Sequence, residues 1–190
     1  MALPDDLQLH RCLPARDQHH RRHPGGLVGN RRAAGLRLLI RADGAARGNP
    51  GPAAAGAVLI DADRPDARSP GAPPVAVIAR PLGHQTNNYA EYTAVVLALR
   101  RARQLGAEEV EIVLDSKLVV EQLSGRWKVR HPQIAPLVAD AQAELAGLRR
   151  WSIRHEPRAA NTAADALANL ALDDPAAAAR AEAASGGRDG

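Results

Sequence analysis

Residues 36–51 read LRLLIRADGAARGNPG, and residues 110–115 read VEIVLD. Each is an apolar, strand-forming run that reaches an aspartate, a residue type that strands otherwise avoid. If the two strands lie side by side and parallel, Asp43 and Asp115 both emerge at their carboxyl ends, the rim at which α/β sheets bind ligands. Between them, residues 86–104 carry the strongest helical pattern in the chain, and Gly106 supplies a C-terminal stop. The turn cluster GAARGNPGP after Asp43 leads into AAAGAVLID (53–61), and a Pro- and Asp-rich loop leads from there into PVAVIARPL (74–82). Three strands joined so closely form an antiparallel meander.

Downstream, a helix is predicted over Ser116 to Ser124, ending at Gly125. Another starts between Pro132 and Ala135 and runs to about Gly147; its two prolines blur the start. WSIRHE (151–156) is a last strand, and Asn161 opens a helix to about Leu172. The predicted order is βββαβααβα.

Two of the remaining acids sit where a carboxylate is costly. Glu91, expected in the first turn of the long helix, shares a face with Val95, Ala98 and Ala102, the face that packs on the sheet. Asp165 shares a face with Ala168, Asn169 and Leu172. Each acid alone has an ordinary explanation: aspartates start turns, and acids favour helix N-termini. Four on elements that can converge are hard oxygen donors, suited to Mg²⁺ or Mn²⁺ rather than zinc. Two such ions suit phosphodiester hydrolysis, one positioning a water and the other stabilising the leaving oxygen.

The stretches DGAARGNPGPAAAG (43–56), TNNYAEYTAVVLAL (86–99), DSKLVVEQL (115–123) and HEPRAANTAADALAN (155–169) resemble, in order, the four signature blocks of the type 1 ribonuclease H family. The likeness spans residues 36–172. It implies an α/β, ribonuclease H-like fold: a five-stranded mixed sheet, three strands antiparallel and then two parallel, with helices on both faces. It makes Asp43, Glu91, Asp115 and Asp165 the family's metal-binding tetrad, with Asp43 the candidate to bridge two ions. It assigns to His155 the family's mobile histidine, which assists proton transfer or product release.

The same resemblance implies substrate contacts. Gly44, Gly48 and Asn49 form a turn where backbone could approach a nucleic-acid strand, or simply a hairpin turn. Thr86, Asn87, Ser116 and Asn161 read either as helix caps or as contacts to phosphate and 2′-hydroxyl, the group that separates RNA from DNA. Trp127 and Lys128, in GRWKVRHP, read as a stacking and phosphate contact for the DNA strand or as a buried anchor. Only six residues separate Gly125 from Pro132, too few for the extra helix and basic handle of many family members. The implied substrate is an RNA–DNA hybrid, cut to 5′-phosphate and 3′-hydroxyl ends. The alternatives are a catalytically silent hybrid-binding module and another nuclease of the same broad fold.

Composition bounds the rest. The chain has 190 residues, 45% apolar, with no Phe and 2% aromatics, so one domain with an Ala, Val, Leu and Ile core is expected. The formal charge is +4, but residues 1–35 hold six Arg against three Asp, so charge is a weak guide to partners. That opening segment is expected to be a disordered basic extension, either a nucleic-acid-binding arm or an unstructured leader. Residues 173–190 are expected to form an unpacked tail. No membrane span or signal peptide is legible, and Cys12 is the sole cysteine, so a reduced, cytoplasmic monomer is expected.

Overall fold

The structure is a computed structural model that describes residues 35–186. The element order is β1 (Leu36–Ala46), β2 (Gly51–Asp61), β3 (Ala76–Gln85), α1 (Asn87–Gln104), β4 (Ala107–Leu114), α2 (Lys117–Leu123), α3 (Ala135–Ala146), β5 (Arg150–His155), a 3₁₀ turn (Arg158–Ala160), α4 (Thr162–Asp173) and α5 (Pro175–Gly186). The strands form one sheet in the order β3-β2-β1-β4-β5. β1 pairs antiparallel with β2 and parallel with β4, and β4 pairs parallel with β5. The mixed sheet of the sequence reading is therefore present, with its parallel strands at the centre and one edge.

Side chains alternate across the strands and sort into two layers. Leu38, Ile40 and Ala42 of β1 join Val95, Leu99, Val119, Val138 and Leu145 of α1 to α3 in the larger core. Leu39, Val58 and Val113 face the other way, towards Ala163 and Leu167 of α4. Both layers are aliphatic, as the composition requires. Tyr92, 1% exposed, is the largest fully buried side chain.

Three expectations are corrected. β1 does not end at Asp43 but runs to Ala46, because β2 still pairs with it there; its parallel pairing with β4 stops at Arg41 opposite Val113. Asp43 therefore sits where β4 has peeled away, which opens the rim the sequence placed at a strand end. Glu91 lies in the second turn of α1, not the first, since the helix begins at Asn87 with Thr86 as its N-cap.

The third correction concerns the tail, most of which is α5, helical and packed. Its Ala178 is fully buried against Ala54, Ala79 and Ala171. The edge strand β3 gives it a polar role as well: Val77 N donates to Ser185 Oγ at 3.0 Å and Ala79 N to Glu182 Oε2 at 3.3 Å. An alanine-rich run looks unpacked in sequence, yet alanine is the best helix former and lies close against a sheet. The extension expected over residues 1–35 lies, except for Gly35, outside the described residues, as do residues 187–190. No helix among the described residues is long and apolar enough to cross a membrane.

Candidate active site

Two glycines bring the site together. Gly44 and Gly56 flank Asp43, Gly44 beside it in β1 and Gly56 opposite it in β2. A Cβ on Gly44 would lie 2.2 Å from Glu91 N in α1, and one on Gly56 would lie 2.2 Å from Ala164 O in α4. Their bare backbones let α1 and α4 close on the sheet from opposite faces at the level of Asp43. Gly44 was expected to admit a nucleic-acid strand; the backbone that presses on its Cβ position is that of α1. Gly48 has φ +96° and shapes the β1–β2 turn.

Asp43, Glu91, Asp115 and Asp165 accordingly line one open cleft, together with Gly44, Asn87, Ser116 and Arg158. The chain engages one oxygen of each acid. Asp43 Oδ1 accepts from Gly44 N at 2.8 Å and Glu91 Oε1 from Asn87 Nδ2 at 2.9 Å. Asp115 Oδ1 accepts from Asn161 Nδ2 at 3.2 Å and Asp165 Oδ1 from Arg158 Nη2 at 2.6 Å. The other Glu91 oxygen is buried with no hydrogen-bond partner. The acids ring an open space: among the described residues, no three acidic, His or Cys side chains close into a tight cluster around one point.

The electrostatics are those of a crowded, half-dry acidic site. Burial, then the Asp115 charge, pushes the Asp43 carboxyl up to about 7; Asp165 and Glu91 add to this and the Gly44 N–H opposes it. Burial also raises the Glu91 carboxyl, with Asp115 adding, against the nearby Ser116 hydroxyl, Arg158 and the Asn87 amide. The upward shifts of Asp43 and Glu91 mark a site with a deficit of positive charge.

Several other expected residues are elsewhere. Asn161 makes no side-chain cap; it is 2% exposed and donates to Ala42 O at 3.0 Å as well as to Asp115. Its amide nitrogen braces α4 against β1 and Asp115, while its Oδ1 has no hydrogen-bond partner. Thr86 is the N-cap of α1, its Oγ1 accepting from Tyr89 N at 3.2 Å, while Asn49 Oδ1 accepts from Asn87 N at 3.1 Å and ties the β1–β2 turn to that helix. Thr86 and Asn49 line a second hollow with Asn88, Tyr92, Gln122 and His131. Ser116 precedes α2 without a capping bond, its hydroxyl facing the cleft. Trp127 is 47% exposed and Lys128 is exposed, which sets aside the buried-anchor reading.

His155 is the last residue of β5 rather than part of the following loop. It lies outside the cleft lining, its Nε2 3.1 Å from the carbonyl oxygen of Asp115, a contact in which the ring nitrogen must donate. Arg158, which the sequence reading passed over, is the one cation in the cleft wall among the described residues. It stands inside the quoted block HEPRAANTAAD, and its signal was a basic residue two turns of chain ahead of a site acid.

A sheet with two central parallel strands and acids from both helical layers meeting at their rim defines a ribonuclease H-like protein. A reverse transcriptase-like family model matches residues 41–171. "Bifunctional protein Rv2228c" of Mycobacterium tuberculosis is 46% identical over 148 residues, which cover 78% of this chain and 39% of that protein. The crystal structure of RNase H1 from Halobacterium salinarum superposes with a TM-score of 0.66 at 44% identity, covering 73% of this chain and 98% of that one. LC11-RNase H1, solved in complex with an RNA/DNA hybrid, superposes with a TM-score of 0.64 at 34% identity over 73% and 98% of the two chains. The chain belongs to the type 1 ribonuclease H family. It spans about two fifths of the length of the mycobacterial relatives it matches.

Proposed function

We propose that this chain hydrolyses the RNA strand of RNA–DNA hybrids by internal cuts, in a divalent-metal-dependent reaction that leaves 5′-phosphate and 3′-hydroxyl ends. The observation that carries this reading is the meeting of Asp43, Glu91, Asp115 and Asp165 in one open cleft. Membership of the family and the hybrid complex of LC11-RNase H1 support the substrate.

The donor set fits two Mg²⁺ ions, with Mn²⁺ as a substitute. The cleft offers hard carboxylate oxygens with no sulfur or imidazole in its lining, and Glu91 has a buried oxygen in want of a cation. The crowding and burial that push the Asp43 carboxyl up to about 7 are what a bound cation would offset. Asp43, Glu91, Asp115 and Asp165 would hold the ions, which when bound acidify water and offset charge on the leaving 3′ oxygen.

The chain's own groups supply the rest. Arg158 reaches a phosphate oxygen from the cleft mouth, as a forked guanidinium can. Asn87 and Ser116, beside Glu91 and Asp115, read the 2′-hydroxyl that distinguishes RNA. The Thr86 hydroxyl, accepting from Tyr89 N, keeps its proton to donate to backbone phosphate. His155 has Nε2 engaged by Asp115 O, so its Nδ1 is the atom that takes up or returns a proton at the cleft edge. Trp127 and Lys128 hold the DNA strand by stacking and charge.

The nuclease domain runs from residue 36 through α5, and the protein acts as a cytoplasmic monomer. The basic segment ahead of it strengthens hybrid binding in the absence of a handle. Deleting residues 1–34 should weaken hybrid affinity and flatten its salt dependence; no change in either removes that role. The activity itself is tested on end-blocked hybrid, single-stranded RNA, duplex RNA and duplex DNA, each with Mg²⁺ and with EDTA. Internal cuts in the RNA of the hybrid, with Mg²⁺ alone, are expected. Binding without cutting would identify a silent module, and cuts in duplex DNA a different nuclease.

A further inference from the structure

The buried polar side chains among the described residues are Arg41, Asp43, Glu109 and Asn161. Asp43 and Asn161 belong to the cleft, and Glu109 meets Arg37, Arg149 and Arg150 at the far end of the sheet. Arg41 remains. It lies on β1 two residues before Asp43, with its side chain 4% exposed. Its Nη1 donates to Glu156 Oε2 at 2.8 Å and its Nε has no partner. Burying a guanidinium carries a large desolvation penalty, and a well-packed apolar pair would hold the fold as well, so stability is a weak reason for it.

Its partner shows a better one. Glu156 follows His155 directly, and its backbone N donates to Leu114 O at 2.8 Å. Next come Pro157 and the 3₁₀ turn Arg158–Ala160, in which no residue is buried. With no apolar side chain to anchor it, the segment carrying Arg158 is placed by its two ends. One end is Asn161, bound to Ala42 O and Asp115. The other is Glu156, bound to Arg41. Glu156 N still donates to Leu114 O, so the alternation of β5 extends one residue past its end, and fixing the Glu156 carboxylate on one face also fixes the His155 ring on the other.

We propose that Arg41 is a positioning residue, which by gripping Glu156 sets the exit of β5 so that His155 meets Asp115 O and Arg158 meets the cleft. This rests on the nuclease reading for the roles of His155 and Arg158, but the geometry it claims belongs to the free protein. Arg154 also reaches Glu156, from a 38% exposed side chain, and is tied by its Nε to Glu111 at 2.8 Å; Arg41 is the buried and central partner.

The test is the double variant Arg41→Met with Glu156→Leu, which leaves no unpaired buried charge and should keep the thermal midpoint near that of the parent. Two quantities are read: kcat and KM on hybrid with Mg²⁺, and the imidazole ¹H–¹⁵N resonances of His155 in the metal-free, substrate-free protein. The expected result is a fall in kcat of about tenfold with KM within about twofold, and displaced or broadened His155 signals, as for a site shifted by about an ångström. Arg41→Lys alone, which keeps the charge, should recover at least half of the parent kcat. A folded double variant with parental kcat, or with unmoved His155 resonances, overturns the proposal. If the double variant does not fold, Glu156→Gln, which removes only the charge, is judged by the same two readouts. A parent protein that fails to cut hybrid would sink the nuclease reading, while the His155 resonances would still decide the positioning claim.

Discussion

Arg158 and Asp165 are joined across the mouth of the acid cleft, Nη2 donating to Oδ1 at 2.6 Å from a guanidinium that is 76% exposed. The pair places an exposed cation where divalent cations are proposed to bind. Exposed pairs contribute roughly 0.2–1 kcal/mol, so Arg158→Ala should leave stability almost unchanged. Its cost should fall on the site: kcat/KM on hybrid down about tenfold, matching the loss of one charge-assisted phosphate contact. Calorimetric titration with Mn²⁺ should show equal or tighter binding, because a competing cation is gone. Parental kcat/KM would remove Arg158 from substrate binding.

Asp43 sets the response to pH. Its folded value of about 7 lies above the ordinary carboxyl value of 3.8, so the fold prefers the protonated form. That contribution to stability is full below about pH 4 and is lost as pH rises through about 7. In EDTA, Asp43→Asn should therefore raise the thermal midpoint at about pH 8, by an amount corresponding to about 4 kcal/mol, and change it little at about pH 4. An equal effect at both values would show that repulsion and burial at Asp43 are not the source.

Much of this site was legible because its residues are misfits in their own elements. Asp43 and Asp115 terminate apolar runs, and Glu91 and Asp165 stand on buried helix faces; each position costs energy that ordinary folding does not repay. What could not be read locally depends on tertiary contact. Asn161 looks like a cap and is a buried brace: its amide donates to the carbonyl of Ala42, 119 residues away, and makes no capping bond to its own helix. Arg41 looks like one more surface arginine until Glu156 is placed beside it. The alanines of α5 show no apolar stripe strong enough to reveal that the edge of β3 needs cover.

Gly44 tests how the helices reach the sheet. A methyl group there meets Glu91 N at 2.2 Å and the Ala90 carbonyl carbon at 2.5 Å, both backbone, so α1 itself must move. Gly44→Ala should cost about 1–3 kcal/mol or more in chemical denaturation and abolish most cleavage by displacing Glu91. Gly71→Ala, where a Cβ meets nothing within 4 Å, is the control and should behave as the parent.

Trp127 and Lys128 separate stacking from charge. Trp127→Ala should weaken hybrid binding about tenfold with the salt slope unchanged, since base stacking is worth roughly 1–3 kcal/mol and releases no counterions. Lys128→Ala should weaken it less at high salt and reduce the slope of log K against log salt by about 1. Fluorescence anisotropy over a salt series reads both, and unchanged binding in both variants would move the DNA strand off this connection.

The central claim is that the acid cleft performs the cleavage and does so apart from gripping the substrate. Asp115→Asn, which preserves shape and can still meet Asn161, tests it in one protein by measuring hybrid cleavage and hybrid affinity under the same Mg²⁺ conditions. The expected result is cleavage reduced by more than about 100-fold, beyond the usual cost of a residue behind a metal ligand, with affinity within about threefold of the parent. Near-normal turnover in that variant would contradict the assignment of the cleft.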